Sequence, residues 1–527
     1  MKFVNELPLD DDANGSSGWG RLDVHARRVR TLYMEPLRIK ISPNIYLRIR
    51  ALRDSPLLPG LKKIYIPNDP SLDLSSALFL ASGSTLNMVQ IYGNATSDRQ
   101  FFFPFLSSLC IKSPGLSHLA LCGVPLSASV EPIFRFTELQ SLEIRLCDPR
   151  LHLQLLHKLG QLPHLLDLII DTGSVASVIQ PHPTPISFDN SKFRQLKHLQ
   201  IFGTTASINC ILDELKGSTN LIALKIDRVS ETSGSAWGSF FEVISTFSAV
   251  EDIEIFNRPR DSIEVSASSL APLLKLENLK SFVINFNMVF SNSDDDFRVL
   301  AGGFPKLKKF GISVPPLPTD MWGIFRSDRG RTLACLYHLS QGCPDLREIR
   351  IAPSSNISDN LDAIKRLPHP IVRNNQHPLE KLYIDSDFGH LQPIQLVQVA
   401  RFLDLIFPNL TTLETDNSKT TEAENWAGIH ELRLALQDAR INPSWVSDIN
   451  GGRRNILLKD FQVTCNCKIP RVQLLPFCFW WRLANNVVWT RIIYVIAIAQ
   501  HRKPLEIVSC NRLKRSTQLA YKKDGYM

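Results

Sequence analysis

Asp10, Asp12, Asn14 and Gly15 stand at the first, third, fifth and sixth places of a stretch that could wrap a calcium ion. Such a loop takes two oxygens from a glutamate at its twelfth place. Here that place is Arg21, whose cation repels the metal, so a solvated acidic linker is expected. Cys465 and Cys467 offer two thiolates where a closed zinc site needs four ligands. His152 and His157 lie five apart, which does not put them on one helical face, and they are expected to be ordinary repeat residues. Asp294 to Asp296 are expected to form a solvated loop and helix start, with their charge toward the helix N-terminus. Phosphate-loop, dinucleotide, H-E-x-x-H and G-x-S-x-G patterns do not occur. The expectation is a binding protein and not an enzyme, without catalytic residues, metal or cofactor.

The elements behind these residues follow a repeat. The pattern L-x-x-Φ-x-Φ, with Φ apolar, begins at Leu61 (LKKIYI), Leu86 (LNMVQI), Leu116 (LSHLAL), Leu139 (LQSLEI) and Leu165 (LLDLII). It continues at Leu196 (LKHLQI), Leu221 (LIALKI), Val250 (VEDIEI), Leu279 (LKSFVI) and Leu307 (LKKFGI). Leu346 (LREIRI), Leu379 (LEKLYI) and a weaker Leu410 (LTTLET) complete it, and VRTLYM from Val29 is a candidate fourteenth copy at the start. Thirteen copies from Leu61 to Leu410 advance 349 residues in twelve steps, a mean of about 29, which chance does not produce. Apolar residues at alternate positions make each copy a short strand with one face inward. Stacking such strands in parallel buries a core that one unit cannot close alone. The expected fold class is α/β: a leucine-rich-repeat solenoid, a ribonuclease-inhibitor-like horseshoe of about 13 irregular repeats with parallel strands on the concave face.

Several segments between the strands have helical spacing. Ser207 is expected to cap a helix carrying Ile208, Ile211, Leu212 and Leu215 and stopped by Gly217. Gln392 to Phe407 repeats the pattern with Leu396, Val399, Ala400, Leu403 and Ile406 on one face. The lead-ins LPHL, FPKL, CPDL and FPNL put proline where a helix must end and a strand begin. The asparagine that many such repeats carry eight positions after the first leucine appears only as Asn94 and Asn287, with Cys147 as a substitute. The proline-rich inserts QPHPTPISF (180–188) and VPPLPTD (314–320) are expected to be loops.

Charge is divided along the chain. From Val446 onward there are 14 Lys/Arg and 4 Asp/Glu, a balance of +10 within a total of +8, so the preceding residues carry −2. The opening MKFVNELPLDDD carries acidic residues where a secretory signal needs an apolar core, so none is expected, and the most apolar run, Pro476 to Ala499, is broken by Arg482, Asn485, Asn486 and Arg491. Ten scattered cysteines then suggest reduced thiols and an intracellular protein, cytoplasmic or nuclear, without a membrane partner. NRLKRS (511–516) is a weak import-type cluster. The expected domains are a linker at 1–28 that would hold any F-box remnant, the solenoid at 29–445, and a basic, Trp-containing tail at 446–527.

GWGRLDVHARRVRTLYM, Gly18 to Met34, resembles the segment leading into the repeats of fungal, basidiomycete-type F-box/leucine-rich-repeat proteins. The matching residues are Trp19, Arg21, Ala26, Arg27, Arg28, Val29, Arg30 and Leu32, and the CPDL and FPNL lead-ins extend the likeness over about residues 18 to 440. The resemblance implies a repeat array that selects a substrate protein for ubiquitin-ligase-type targeting. It also implies an N-terminal F-box that docks to the adaptor of an SCF-type cullin–RING ligase. The 28 residues ahead of Val29 leave no room for a three-helix F-box. The expectation is therefore a family member lacking it, with the SCF-type adaptor as partner only if an F-box is present.

The fifth position of each copy should line up on the concave face. Tyr65, Gln90, Glu143, Gln200, Lys225, Glu254, Arg350, Tyr383 and Glu414 are the candidate partner-binding residues, with Ala120, Ile169, Val283 and Gly311 between them. A strip of mixed sign suits a protein or peptide partner, whereas a phosphate backbone wants one continuous basic stripe. The alternatives are a repeat scaffold unrelated to ubiquitin and a nucleic-acid binder acting through its basic tail.

Overall fold

Each copy of the repeat forms one strand of a 14-stranded parallel sheet. The computed structural model describes residues 24–34, 56–67, 85–92, 99–124, 131–146, 153–172, 193–216, 218–227, 234–256, 263–265, 267–285, 288–290, 293–313, 331–368, 377–386, 388–415 and 421–441. The sheet starts with β1 (Thr31–Tyr33), β2 (Lys63–Ile66), β3 (Met88–Tyr92), β4 (His118–Val124) and β5 (Ser141–Leu146). It continues through β6 (Asp167–Asp171), β7 (His198–Phe202), β8 (Ala223–Asp227) and β9 (Asp252–Phe256). Outside it, β10 (Ile263–Val265) pairs in parallel with β12 (Met288–Phe290), an addition the sequence pattern did not suggest. The main sheet resumes with β11 (Ser281–Asn285), β13 (Lys309–Ser313), β14 (Glu348–Ile351), β15 (Lys381–Ile384) and β16 (Thr412–Glu414). The candidate copy at Val29 is thus a true first strand, paired Thr31 to Lys63 with β2.

Alternation sets the inner face. From Leu61 to Leu379 the first, fourth and sixth positions of the copies are buried, as in Leu61, Ile64 and Ile66 or Leu346, Ile349 and Ile351, while Val29, Leu32 and Met34 of the first copy are half-buried. Three such side chains per repeat, at roughly 2 kcal/mol each, drive the stacking. A backbone ladder fixes the register. The carbonyl at the second position accepts from the second and third N–H groups of the next copy. Glu251 O, for example, accepts from Lys280 N at 2.7 Å and Ser281 N at 2.9 Å. The same pair of bonds recurs at all thirteen steps between Arg30 and Thr412. A one-residue slip would break both bonds and turn every apolar residue outward.

The segments between strands form α-helices at Arg99–Lys112, Leu153–Leu159, Thr205–Glu214, Gly234–Ile244, Asp294–Gly303, Cys335–Gly342 and Ile357–Arg366. The FPKL and CPDL prolines do end helices: the helices before them stop at Gly303 and Gly342, one residue short of each lead-in. The cap expected at Ser207 lies three residues earlier. Thr204 Oγ1 accepts from Ser207 N at 3.1 Å, and Ser207 is buried inside the first turn. A threonine whose backbone is extended can reach back to the third amide, which Ser207 inside the helix cannot.

Asp294 to Asp296 start a helix as expected, but they are not simply solvated. Asp294 accepts from both the backbone N–H and the hydroxyl of Thr332 at 2.7 Å, and Asp296 accepts from Ser293 N at 2.8 Å. Asn94, Cys147, Asn287 and the two proline-rich inserts lie outside the described residues. In the described turns, hydroxyls bridge neighbouring repeats: Thr172 Oγ1 donates to Phe202 O and Ser386 Oγ to Pro353 O.

Close helix packing makes one glycine testable. A Cβ on Gly342 would lie 2.6–2.7 Å from Ala301 backbone and side-chain atoms, whereas one on the exposed Gly302 would meet nothing within 4 Å. Gly342→Ala is expected to destabilise by about 1–3 kcal/mol through overpacking. Gly302→Ala should be neutral or slightly stabilising, by up to about 1 kcal/mol. Urea midpoints of the two variants should therefore move in opposite directions or differ clearly in size.

A second compact unit comprises, among the described residues, His390–Asp404 and residues 423–441. The helix expected over Gln392 to Phe407 runs Pro393–Ile406 and buries Val399, Ala400, Leu403 and Ile406, with Leu396 half-buried. In the helix Thr421–Ile441, Trp426, Ile429 and Leu432 are buried at helical spacing. Arg433 is buried beside them; burial lowers its pKa, and the Asp404 charge opposes that. The tail at 446–527 and the segment at 1–23 lie outside the described residues.

Candidate partner-binding face

The ladder brings the fifth positions into one continuous row. Tyr65 pairs with Gln90, Gln90 with Ala120, Ala120 with Glu143, Glu143 with Ile169 and Ile169 with Gln200. Lys225, Glu254, Val283, Gly311, Arg350, Tyr383 and Glu414 follow in the same register. All nine candidate residues are thus brought together in one row. Among them only Glu414 is exposed; the other eight are half-buried. Ala120, Val283 and Gly311 are buried in the row and divide it into polar sections.

Two parallel rows that the fifth-position analysis passed over complete the face. Third positions bring Asp167 beside His198, and seventh positions bring Arg145, Asp171, Phe202, Asp227 and Phe256 side by side. The available signal was the same repeat read at two further offsets. Between β5 and β11 the third- and fifth-position rows line a groove of about 620 Å³. Its lining includes Ile169, Gln200 and Ala223 and the charged or titratable Asp167, His198, Lys225, Asp252 and Glu254.

Local pairs hold these side chains. His198 Nδ1 lies 2.5 Å from Asp167 Oδ1. Lys225 Nζ is 3.8 Å from Glu254 Oε2 and 5.1 Å from the Phe256 ring centroid. Arg145 bonds Glu143 and sits 5.2 Å over the Phe202 ring. Such half-exposed pairs contribute little stability, up to about 1 kcal/mol each, so a partner's charges can replace them. Asp252 differs: burial raises its pKa, and the carboxylates of Glu251 just before β9 and of Glu254 within it raise it further.

Toward the first strands the face becomes aromatic. Tyr33 and Tyr65 stack with centroids 4.5 Å apart and planes within 7°, and the Tyr65 hydroxyl donates to Met88 Sδ at 3.7 Å. Farther on, Arg350 Nε reaches Asp385 Oδ2 at 3.3 Å.

The Cys122 thiol is pushed up to about 12 by burial and then by the Glu143 charge, which keeps it protonated and poorly nucleophilic. Among the described residues no serine or cysteine hydrogen-bonds to the His198 ring. Nor do they contain a group of three or more His, Cys, Asp and Glu that could hold a metal ion. His157 sits on the helix Leu153–Leu159, while His152, the Asp10 loop, Cys465 and Cys467 lie outside the described residues. No described helix is long and apolar enough to cross a membrane.

Fourteen parallel strands, one per repeat, with helices on the return segments define a leucine-rich-repeat solenoid of the α/β class. Solved structures with a similar trace include an internalin from Listeria monocytogenes, 12% identical over 71% of this chain and 94% of that one, TM-score 0.37. A leucine-rich-repeat protein from Leptospira interrogans is 15% identical over 76% and 88%, TM-score 0.39. The APL1 leucine-rich repeat domain is 11% identical over 77% and 79%, TM-score 0.28. No protein-family model and no curated protein matches the sequence.

Proposed function

We propose that this chain is the partner-recognition array of an F-box-like protein, holding a substrate protein on the open face of its sheet for ubiquitin-ligase-type targeting. The observation that carries this is the alignment of Tyr65, Glu143, Lys225, Glu254, Arg350 and Tyr383 in one row over a grooved sheet. Long solenoid faces with mixed polar and aromatic side chains suit extended protein surfaces. The segment Gly18 to Met34 supports the F-box-like part by its resemblance alone.

The test is affinity purification of the tagged chain from its own cells with mass spectrometry. A recurring partner is expected with the wild-type chain, and Glu254→Lys combined with Arg350→Glu should reduce its recovery at least about tenfold. Co-purification of cullin and adaptor in near-equal amounts would support the ubiquitin role. A recurring partner without them would make the chain a scaffold unrelated to ubiquitin. Unchanged partner recovery by the double variant would remove the face from the proposal.

A further inference from the structure

Charge is sorted along the open face when the copies are read side by side. Counting second, third, fifth and seventh positions, β5 to β9 carry seven carboxylates against three cations. The next three strands of the sheet, β11, β13 and β14, carry five cations (Lys280, Lys308, Lys309, Arg347 and Arg350) against the single carboxylate Glu348. The boundary falls between β9 and β11, where Lys280 Nζ meets Glu251 Oε2 at 2.6 Å. One side of it holds Glu251, Asp252 and Glu254 in a single copy, and the other holds Lys308 and Lys309.

We propose that the partner segment on this face is bipolar: a lysine- or arginine-bearing block over β5 to β9 and an aspartate- or glutamate-bearing block over β11 to β14. The proposal rests on the partner-binding role of the face and specifies what it takes. A uniformly basic segment fits the first half and is repelled by the second; a uniformly acidic one meets the reverse. Like-charge contacts of this kind reject wrong partners more strongly than matching charges attract right ones. Burial first, and then the crowding of Glu251 and Glu254, raises the Asp252 pKa against the opposing Lys280 and His198, and a further cation laid across the cluster relieves that crowding. From β7, the middle of the acidic half, to β13, the middle of the basic half, there are four strand spacings, about 19 Å. An extended chain covers that distance in about six residues.

This spacing defines a probe. One labelled peptide carries four lysines, Gly-Ser and four glutamates; its isomer has the same residues with lysine and glutamate alternating. Both have the same net charge, so non-specific attraction cancels. Fluorescence anisotropy with the full chain at low salt should show the block isomer binding about tenfold more tightly, the yield of several exposed pairs acting together. The gap should close as salt is raised. Asp252→Lys with Glu254→Lys, or Lys308→Glu with Lys309→Glu, should each abolish the preference. The neutral pair Asp252→Asn and Glu254→Gln should weaken it, and serves if the reversals perturb folding. Equal affinity for both isomers, or none for either, overturns bipolar recognition. If that happens while cellular partner capture still requires Glu254 and Arg350, the partner-binding face itself stands.

Discussion

Trp237→Ala is expected to lower stability by about 4 kcal/mol, and to do so locally. Trp237 is fully buried on the helix Gly234–Ile244, edge-on to Phe240 at 5.2 Å and tilted against Phe241 at 5.8 Å. Removing the indole takes away a large apolar contact area, and rings held against one another relax poorly into the space left behind. Phe240 and Phe241 are themselves buried against it. In a solenoid each repeat touches only its neighbours, so the lost free energy should not be shared evenly along the array. Hydrogen exchange should show amides of β8 and β9 losing protection first, while those of β13 and β14 stay close to wild type. A uniform loss across all strands, with one cooperative urea transition, would show that the array unfolds as a single unit. Ile111→Ala, at a side chain 73% exposed, should stay within about 0.5 kcal/mol of wild type and serves as the control.

The strands were legible because one short-range rule governs them. A leucine, two variable residues and two alternating apolar positions specify both the strand and its inner face, and the ladder then sets the neighbouring copy without further information. The row from Tyr65 to Glu414 followed from the same rule. Other features depend on residues far apart in sequence. Asp294 meets Thr332 across 38 positions, and Arg331 is fully buried with Nε bonded to Ala352 O at 2.6 Å. Neither residue announces that partner locally, and an arginine in sequence reads as surface. The Thr204 cap was misplaced because threonine and serine both stand near the helix start, and only the extended backbone at Thr204 decides between them. The sorting of charge between the two halves of the face shows only when several copies are set side by side at their second, third, fifth and seventh positions.

Acid should find a specific weak point at His377. Its side chain is almost fully buried, Nδ1 accepts from Leu379 N at 3.3 Å, and the ring packs edge-on to Phe407 at 5.0 Å. Burial lowers its pKa from 6.5 to about 4, opposed only by the Cys343 backbone. Protonation would also place an N–H at Nδ1 against the Leu379 N–H, donor against donor. The stabilisation is complete above pH 6.5, where the ring is neutral in both states. Between pH 6.5 and about 4 the unfolded chain takes up a proton that the folded chain refuses, so stability falls with pH; below that it levels off. At about 1.4 kcal/mol per pH unit the total is roughly 3 kcal/mol. Urea unfolding of wild type and His377→Gln across this range should give a clearly flatter profile for the variant, whose amide can keep the bond to Leu379 N without titrating. His338, lowered by burial, and Asp385, raised by burial, are present in both proteins, so the difference in slope belongs to His377. Parallel profiles would mean that the ring is protonated in the folded chain without penalty, through water or a shift of the Leu379 turn that relieves the buried charge.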